Sequence, residues 1–146
     1  MEKKQITKKE IIKLDQNFDA FVEKKIRRMK PSKNLLKFLK SEKKNHNFYI
    51  STGTPQNKII KILKNKKLFF FFKKIYGSPR SKVDHINEIK KKYKSIIFIG
   101  DSFEDYKASV DTKIDFILKI NSENLSLRKK TNIKKIQSFK FLKKYI

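Results

Sequence analysis

An apolar run, Ile96-Ile97-Phe98-Ile99, constrains the fold of this chain more than any other stretch. Four consecutive β-branched or aromatic residues have no polar alternation, so we expect a strand that is covered on both faces, as parallel strands between helices are. Gly100 follows and is expected to let the backbone turn sharply. Asp101 then lies where open α/β sheets bind ligands, just beyond the carboxyl end of a strand.

A second carboxylate, that of Asp105, follows Asp101 four residues later. Two neighbouring carboxylates repel each other unless a positive group lies beside them. A hard divalent cation, most simply Mg2+, is a suitable partner because it prefers oxygen ligands. The alternative is that both residues cap the helix that follows, since acidic side chains are favoured at helix starts. The local sequence does not decide between a metal site and a cap.

The 146-residue chain has no Cys and carries a formal net charge of +25. Its length allows one domain with a hydrophobic core, or slightly less than one complete α/β domain. Without Cys it has neither disulfides nor thiolate metal ligands, which fits a reducing compartment. No signal-peptide pattern follows Met1 and no window is apolar enough to span a membrane, so we expect a cytoplasmic protein without a membrane partner.

The excess of basic residues suggests nucleic-acid binding, because clustered Lys and Arg neutralise phosphates. Only four of the 39 basic residues are Arg, however, and the Lys residues are spread through every predicted helix. Arg is suited to bidentate contacts with phosphates and bases, so its scarcity argues against specific nucleic-acid recognition and favours solvated helix faces. A non-catalytic basic module that binds nucleic acid or an acidic partner is the alternative, and it predicts binding that weakens steeply with salt.

The sequence pattern changes at Pro31. Before it, within residues 7–29, apolar residues recur at steps of three and four, which predicts one or two amphipathic helices. From Ser32 onwards helical and extended patterns alternate, which is typical of a Rossmann-like α/β fold with an open, mostly parallel sheet and flanking helices. We therefore predict one unit over residues 1–31 and an α/β core over residues 32–146.

The predicted strands are short and lie at Phe48–Ile50, Lys74–Tyr76, Ile96–Ile99 and Ile114–Ile120. Helices are predicted to follow Ser32, Thr54, Ser81 and Asp101, and a closing helix is predicted at Phe139–Ile146. Thr54 is expected as an N-cap ahead of Pro55, and Ser81 with Asp84 as a capping pair. The run Leu68–Phe72 fits either a strand or a helix end. The chain has neither a G-x-G-x-x-G fingerprint nor a P-loop motif.

Polar side chains follow three successive predicted strands: Thr52 the first, Lys82 the second, and Asp101 with Asp105 the third. Because the carboxyl ends of parallel strands lie on one side of a sheet, these groups are expected to converge. Thr52 and the amide of Gly53 can donate hydrogen bonds to phosphoryl oxygens. Lys82 can neutralise charge, and Asp101 can hold a metal that bridges phosphate and protein. The set predicts a phosphate site.

Each member of this set also has an ordinary structural interpretation. Thr52 can be a turn hydroxyl, Lys82 can be one solvated Lys among many, and Ser51 is an equally suitable donor. Only the order and spacing of these residues distinguish the set from a chance arrangement of polar residues. His46 and His85 have no spacing typical of metal ligands and are expected at the surface.

Three segments resemble motifs of the haloacid dehalogenase (HAD) superfamily of phosphatases. They are Tyr49–Pro55, Ser78–Lys82 and Phe98–Asp105, which are similar to its second, third and fourth motifs. Within the superfamily the chain is most similar to phosphoglycolate-phosphatase-like members, over about residues 32–120. The resemblance implies a HAD-like core and a Mg2+-dependent hydrolase, a phosphomonoesterase, that acts on a small phosphorylated metabolite.

The resemblance also implies a role for each matched residue. Thr52 would bind the phosphoryl group, together with the amide of Gly53. Lys82 would hold the nucleophile and the phosphate together. Asp101 would ligate Mg2+, and Asp105 would support the metal shell.

Residues 1–31 resemble the last part of the helical cap that these enzymes insert before the second motif, where it shapes substrate choice and excludes water. The first motif, Asp-x-Asp, carries the nucleophile and would lie upstream of the cap, but this sequence has none. Its role is not transferred to Asp15, which has no second Asp two residues on. Covalent phosphoryl transfer needs that nucleophile. We therefore expect a fragment, or a chain with its start set too far downstream, that is inactive by itself.

The missing motif has a structural consequence as well. In the family the first strand lies between the strands that carry the second and fourth motifs. Without it, Phe48–Ile50 and Ile96–Ile99 are each expected to have an unpaired edge. Either the two halves of the sheet close on each other, or a missing N-terminal segment or a second chain completes the sheet.

Overall fold

The computed structural model describes residues 7–9, 13, 21, 24–26 and 28–146. The chain divides into two compact units, residues 1–31 and residues 32–146. In the first unit the described residues 8–9, 13, 21, 24–26 and 28 are helical. Asp15 lies outside the described residues. The interpretation of this unit as the remnant of a cap stays a prediction.

Residues 32–146 alternate between helices and parallel strands, which confirms the predicted α/β class. The helices are α1 (Lys33–Glu42), α2 (Gln56–Asn65), α3 (Lys82–Lys90), α4 (Phe103–Asp111) and α5 (Leu125–Arg128). The strands are β1 (Phe48–Pro55), β2 (Phe72–Ser78), β3 (Ile97–Gly100), β4 (Asp115–Lys119) and β5 (Lys134–Ile136). Two 3-10 turns lie at Phe69–Phe71 and Phe139–Tyr145. No helix among the described residues is long and apolar enough to cross a membrane.

The strands form two separate parallel sheets, β1-β2 and β3-β4-β5. β1 and β3 share no ladder in the described part of the chain, so each has an unpaired edge, as predicted. Ile97, Phe98 and Ile99 of β3 are half-buried, so the expected burial of this run on both faces is incomplete. Ile117 and Leu118 of β4, which has a partner strand on each side, are fully buried.

Helix α1 packs against the cores of both sheets. Its Phe38 lies in one cluster with Ile117 of β4, and its Leu39 lies in another with Ile75 of β2. The ring of Phe38 also lies 5.7 Å from that of Phe48, the first residue of β1. Burial of each such side chain stabilises the fold by about 1.5–3 kcal/mol. Side-chain packing therefore holds the two sheets together where no backbone ladder does.

The segment between β1 and α2 differs from the prediction. β1 continues to Pro55, and the helix starts at Gln56, so Thr54 is not the N-cap. The backbone amide and hydroxyl of Thr54 instead bond to the hydroxyl of Thr52, 3.2 Å away in both cases. The side chain of Gln56 bonds to β2, donating to the carbonyl of Ile75 at 2.7 Å. The bonds between Thr52 and Thr54 are local and compete with a cap, and the bond of Gln56 joins the start of the helix to β2.

The C-terminal part of the fold contains elements that the sequence pattern did not predict. α5 has four residues and β5 has three, too few for a period to be recognised. The closing helix predicted at Phe139–Ile146 is present, as a 3-10 helix over Phe139–Tyr145. The ambiguous run before β2 divides into a 3-10 turn and the first residue of that strand.

Candidate phosphate and metal site

The predicted site residues lie at the carboxyl ends of β1 and β3 and at the start of α3. Thr52 and Gly53 are in the last part of β1, Lys82 is the first residue of α3, and Asp101 follows β3. All strands within each sheet are parallel, so their carboxyl ends lie along one side of that sheet. We call this side the rim of the sheet.

Asp105 is the centre of a hydrogen-bond network at this rim. Its Oδ1 lies 2.6 Å from the Nζ of Lys82, and the two side chains are only 10% and 23% exposed. Its Oδ2 accepts hydrogen bonds from the backbone amides of Asp101 and Ser102, both at 3.2 Å, and from the Ser102 hydroxyl at 2.9 Å. Asp105 is therefore the third residue of a capping box that starts α4. The helix-cap interpretation holds for Asp105, and the same bonds tie it to Asp101.

Gly100 allows this carboxylate to lie beneath the end of β3. A Cβ atom on Gly100 would meet the side chain of Asp105, at 2.6 Å from Oδ2. The backbone bends at Asp101 and Ser102, directly after Gly100, and no glycine in the described residues has a positive φ. Gly100 is required here for space and not for backbone conformation.

Two asparagines position Asp101, and the sequence interpretation missed both. Asn121 Nδ2 donates to Asp101 Oδ2 at 3.1 Å. Asn124 is 5% exposed and donates to the carbonyl oxygens of Asp101 at 3.0 Å and of Lys119 at 2.9 Å. Both follow β4, so polar residues after a strand, the signal that identified Thr52, also occur here. With Asp101 and its neighbours they line a cavity of about 270 Å3.

Thr52 lies at the adjoining strand end and is not part of this network. Its hydroxyl accepts from the amide of Thr54 and donates to the Thr54 hydroxyl. Gly53 is exposed, and a Cβ atom there would meet nothing within 4 Å. Among the described residues no hydrogen bond joins Thr52 to Lys82 or to Asp101. The structure thus connects three of the predicted site residues directly and places Thr52 and Gly53 on the neighbouring strand.

Three solved structures resemble this chain over most of its length. A haloacid dehalogenase-like hydrolase from Streptococcus pneumoniae superposes with a TM-score of 0.75 at 19% identity, over 96% of this chain and 72% of that one. A HAD-superfamily hydrolase from Ehrlichia chaffeensis has a TM-score of 0.60 at 16% identity, over 95% and 77%. YfnB from Bacillus subtilis, assigned to the HAD hydrolases and bound to magnesium, has a TM-score of 0.56 at 18% identity, over 73% and 52%.

This chain has the haloacid dehalogenase-like fold. It spans between 52% and 77% of the length of those three proteins. No protein-family model matches its sequence, and no curated protein does. Because the identities are below 20%, the similarity concerns the HAD-like fold alone.

The HAD-like rim fits Mg2+ in part. Among the described residues no group of three or more His, Asp or Glu side chains is arranged to hold a metal ion. The carboxylate of Asp101 is exposed and offers the hard oxygen ligand that Mg2+ prefers. Both oxygens of Asp105 are already bonded to protein donors. Mg2+ commonly binds through one or two carboxylates together with water and phosphate oxygens, so Asp101 fits as a ligand and Asp105 as its support.

His85 is completely buried, so the expectation of a surface position is wrong for it. Its Nδ1 lies 2.9 Å from the hydroxyl oxygen of Ser51, next to Thr52, and its ring stacks on Tyr76 at 5.1 Å. Burial lowers the pKa of His85 below its usual range. His46, by contrast, is 40% exposed and lies 3.6 Å from Glu42. An isolated His in a sequence gives no periodic signal of burial, which is why His85 was missed.

Proposed function

We propose that this HAD-like chain is the phosphate- and Mg2+-binding part of a phosphomonoesterase that acts on a small phosphorylated metabolite. The observation that supports this best is the network at the rim, in which Asp105 joins Lys82 at 2.6 Å to the backbone of Asp101. The ammonium of Lys82, the carboxylate that holds it and the exposed carboxylate of Asp101 together are suited to binding a phosphoryl group with a metal ion.

Each residue has a distinct task in this proposal. The hydroxyl of Thr52 and the amide of Gly53 donate hydrogen bonds to phosphoryl oxygens. The ammonium of Lys82 neutralises phosphoryl charge, and Asp105 holds that ammonium in place. Asp101 is the ligand for Mg2+, which when bound supplies electrostatic stabilisation of the phosphoryl oxygens.

The nucleophile has to come from outside the sequence of this chain, which contains no Asp-x-Asp. We propose that an N-terminal segment supplies it as an apolar strand that inserts between β1 and β3. Two observations support this: both strands have an unpaired edge, and their apolar residues are only half-buried. Phe48 of β1 packs on the same core cluster as Ile97 and Ile99 of β3, so the two edges are neighbours. Without the strand, the chain is expected to bind phosphate weakly and not to turn over.

An assay with p-nitrophenyl phosphate and Mg2+ tests both parts of the proposal. The 146-residue chain is expected to be inactive, and a version extended upstream by an apolar strand that ends in Asp-x-Asp is expected to be active. Asp101→Asn in the extended version should abolish that activity. Asp111→Asn, a matched change at the exposed end of α4, should not affect it. An inactive extended version, or a fully active short chain that tolerates Asp101→Asn, would refute the proposal. Restored activity only with a separately added strand peptide would identify a second chain as the source.

The structure gives the alternative function, a basic binding module, less support. Exposed Lys side chains occur on several elements, for example Lys37 on α1, Lys107 on α4 and Lys134 on β5. A surface that reads nucleic acid would concentrate such charge on one face. Dispersed Lys residues favour solubility and weak, salt-sensitive adhesion to polyanions.

A further inference from the structure

Helix α3 bonds to strand β1 and to helix α4 through two side chains on one of its faces. Lys82 and His85 are three residues apart, a spacing that places both on one side of a helix. Lys82 reaches Asp105 in α4, which packs on the three-stranded sheet, and His85 reaches Ser51 in β1 of the two-stranded sheet. Since no backbone ladder joins β1 to β3, these two bonds help to set the position of one rim relative to the other.

The surroundings of His85 favour a neutral imidazole. The side chain is 0% exposed and stacks on the ring of Tyr76, with 21° between the planes. Burial is the main cause that lowers the pKa of His85, and the guanidinium of Arg80 adds to it. A hydrogen bond with the backbone of Gly77 raises this pKa, as do the carboxylates of Asp84 and Glu88 to a smaller extent. In the neutral tautomer that carries its proton on Nε2, Nδ1 accepts a hydrogen bond, and the Ser51 hydroxyl donates to it across 2.9 Å.

We propose that His85 is a positioning residue for the phosphate site. By accepting the hydrogen bond of Ser51, it holds the end of β1 against α3, so that Thr52 and Gly53 face the same bound anion as Lys82. The inference rests on the proposed function, because it concerns how Thr52 and Gly53 are held next to Lys82 in that phosphate site. It assigns a task to a buried titratable side chain that the proposed chemistry does not use.

Protonation of His85 should disturb this link, because it would place a positive charge in a completely buried position. Both ring nitrogens would then be donors, so the hydroxyl oxygen of Ser51 would have to turn and accept the hydrogen bond instead of donating it. The site should therefore lose phosphate affinity in acid, where His85 takes up a proton. Inorganic phosphate itself titrates as the pH falls, so the informative quantity is the difference between the parent chain and a variant without the imidazole.

The experiment measures the affinity of the 146-residue chain for inorganic phosphate with Mg2+, followed through the backbone amide signals of Thr52 and Gly53. Ser51→Ala removes the donor, and His85→Leu removes the acceptor while it fills the space. Each should weaken phosphate binding about two- to tenfold, the effect of one hydrogen bond. The double variant should be no weaker than either single variant, because both changes break the same bond.

Two further variants separate positioning from packing. His85→Asn places an amide oxygen near the position of Nδ1, so it should restore most of the affinity and should remove the extra loss of affinity in acid. Ser109→Ala is the matched control, since Ser109 is 1% exposed and bonds within α4 to the carbonyl of Tyr106. It should bind phosphate as the parent chain does.

The outcomes distinguish this inference from the proposed function. If Thr52→Ala weakens binding while Ser51→Ala does not, the positioning role of His85 is wrong and the phosphate site stands. The same holds if His85→Asn is as weak as His85→Leu, because His85 would then only pack. If the parent chain does not bind phosphate, or if Thr52→Ala binds as well as the parent, the proposed function fails and the inference fails with it.

Discussion

The Nζ of Lys82 lies 2.6 Å from the Oδ1 of Asp105, and this ion pair joins the first residue of α3 to the first turn of α4. The other oxygen of the same carboxylate accepts the amide hydrogen of Asp101. The side chain of Asp105 therefore fixes the positions of the Lys82 ammonium, the first turn of α4 and the backbone of Asp101. Asp105 acts through this arrangement whether or not it contacts a metal ion.

Asp105→Asn should destabilise the fold more than Asp84→Asn does. Both residues occupy the third helical position of a capping box, but only Asp105 also pairs with a half-buried Lys. We expect Asp105→Asn to lose about 1 kcal/mol more than Asp84→Asn in the free energy of unfolding, because Asn keeps an oxygen that accepts the capping hydrogen bonds but loses the ion pair with Lys82. Urea unfolding measures both variants. Equal losses would show that the bond to Lys82 contributes nothing.

Gly100→Ala should disrupt the site, and Gly53→Ala should not disturb the fold. A methyl group on Gly100 would collide with the carboxylate of Asp105, whereas one on Gly53 enters open space. We expect Gly100→Ala to cost about 1–3 kcal/mol in the free energy of unfolding, since overpacking forces the neighbouring side chain away. Urea midpoints of the two variants provide the comparison. A Gly100→Ala variant as stable as the parent chain would contradict the observed contact.

Glu88 should make stability depend on pH in acid. Hydrogen bonds from Lys74, Arg80 and Tyr76 lower the pKa of its carboxylate from 4.5 to about 2. A carboxyl group whose pKa is lowered in the folded state stabilises that state at pH values above its ordinary pKa of 4.5. This stabilisation is lost as the pH falls from 4.5 towards 2. The advantage of the parent chain over Glu88→Gln, measured by urea unfolding, should shrink over this range.

The exposed residue Glu123 provides the control for this measurement. Glu123→Gln should follow the pH dependence of the parent chain. A constant difference between the parent chain and Glu88→Gln at every pH would show that the three hydrogen bonds do not affect the ionisation of Glu88.

Asn124→Ala should destabilise the loop that follows β4. The side chain is buried and donates to the carbonyl oxygens of Asp101 and Lys119, which would be left without these partners. We expect a loss of about 2 kcal/mol in the free energy of unfolding, together with weaker Mg2+ binding at Asp101. Calorimetry with Mg2+ and urea unfolding test the two effects. Asn132→Ala, at an exposed position, should change neither.

Much of the candidate site could be predicted because its local signals are strong. The apolar run before Gly100 and Asp101 predicted a strand that delivers a carboxylate to a sheet end, and β3 ends at Gly100. Ser81 with Asp84 predicted the start of α3, which the capping box confirms. These patterns involve residues close in sequence, so short-range sterics and hydrogen bonds determine them. The roles of Thr52, Gly53, Lys82, Asp101 and Asp105 in binding stay predictions.

The parts that were missed depend on contacts between distant residues. Asn121 and Asn124 bond to Asp101 at separations of 20 and 23 residues along the chain. His85 meets Ser51 at a separation of 34 residues. Polar residues after β4 mark the position of the two asparagines, but no local pattern gives their partners or the burial of His85, because these exist only once the elements pack.

The sequence by itself determined the alternation of helices and strands and the order in which polar residues follow the strand ends, because hydrophobic period and capping chemistry act over a few residues. Only the tertiary structure decided that β1 and β3 lie in different sheets, that Gly100 is needed for the space that Asp105 occupies, and that a buried His85 joins α3 to β1. Those features depend on which surfaces meet across the fold, and pairwise packing of distant segments determines that.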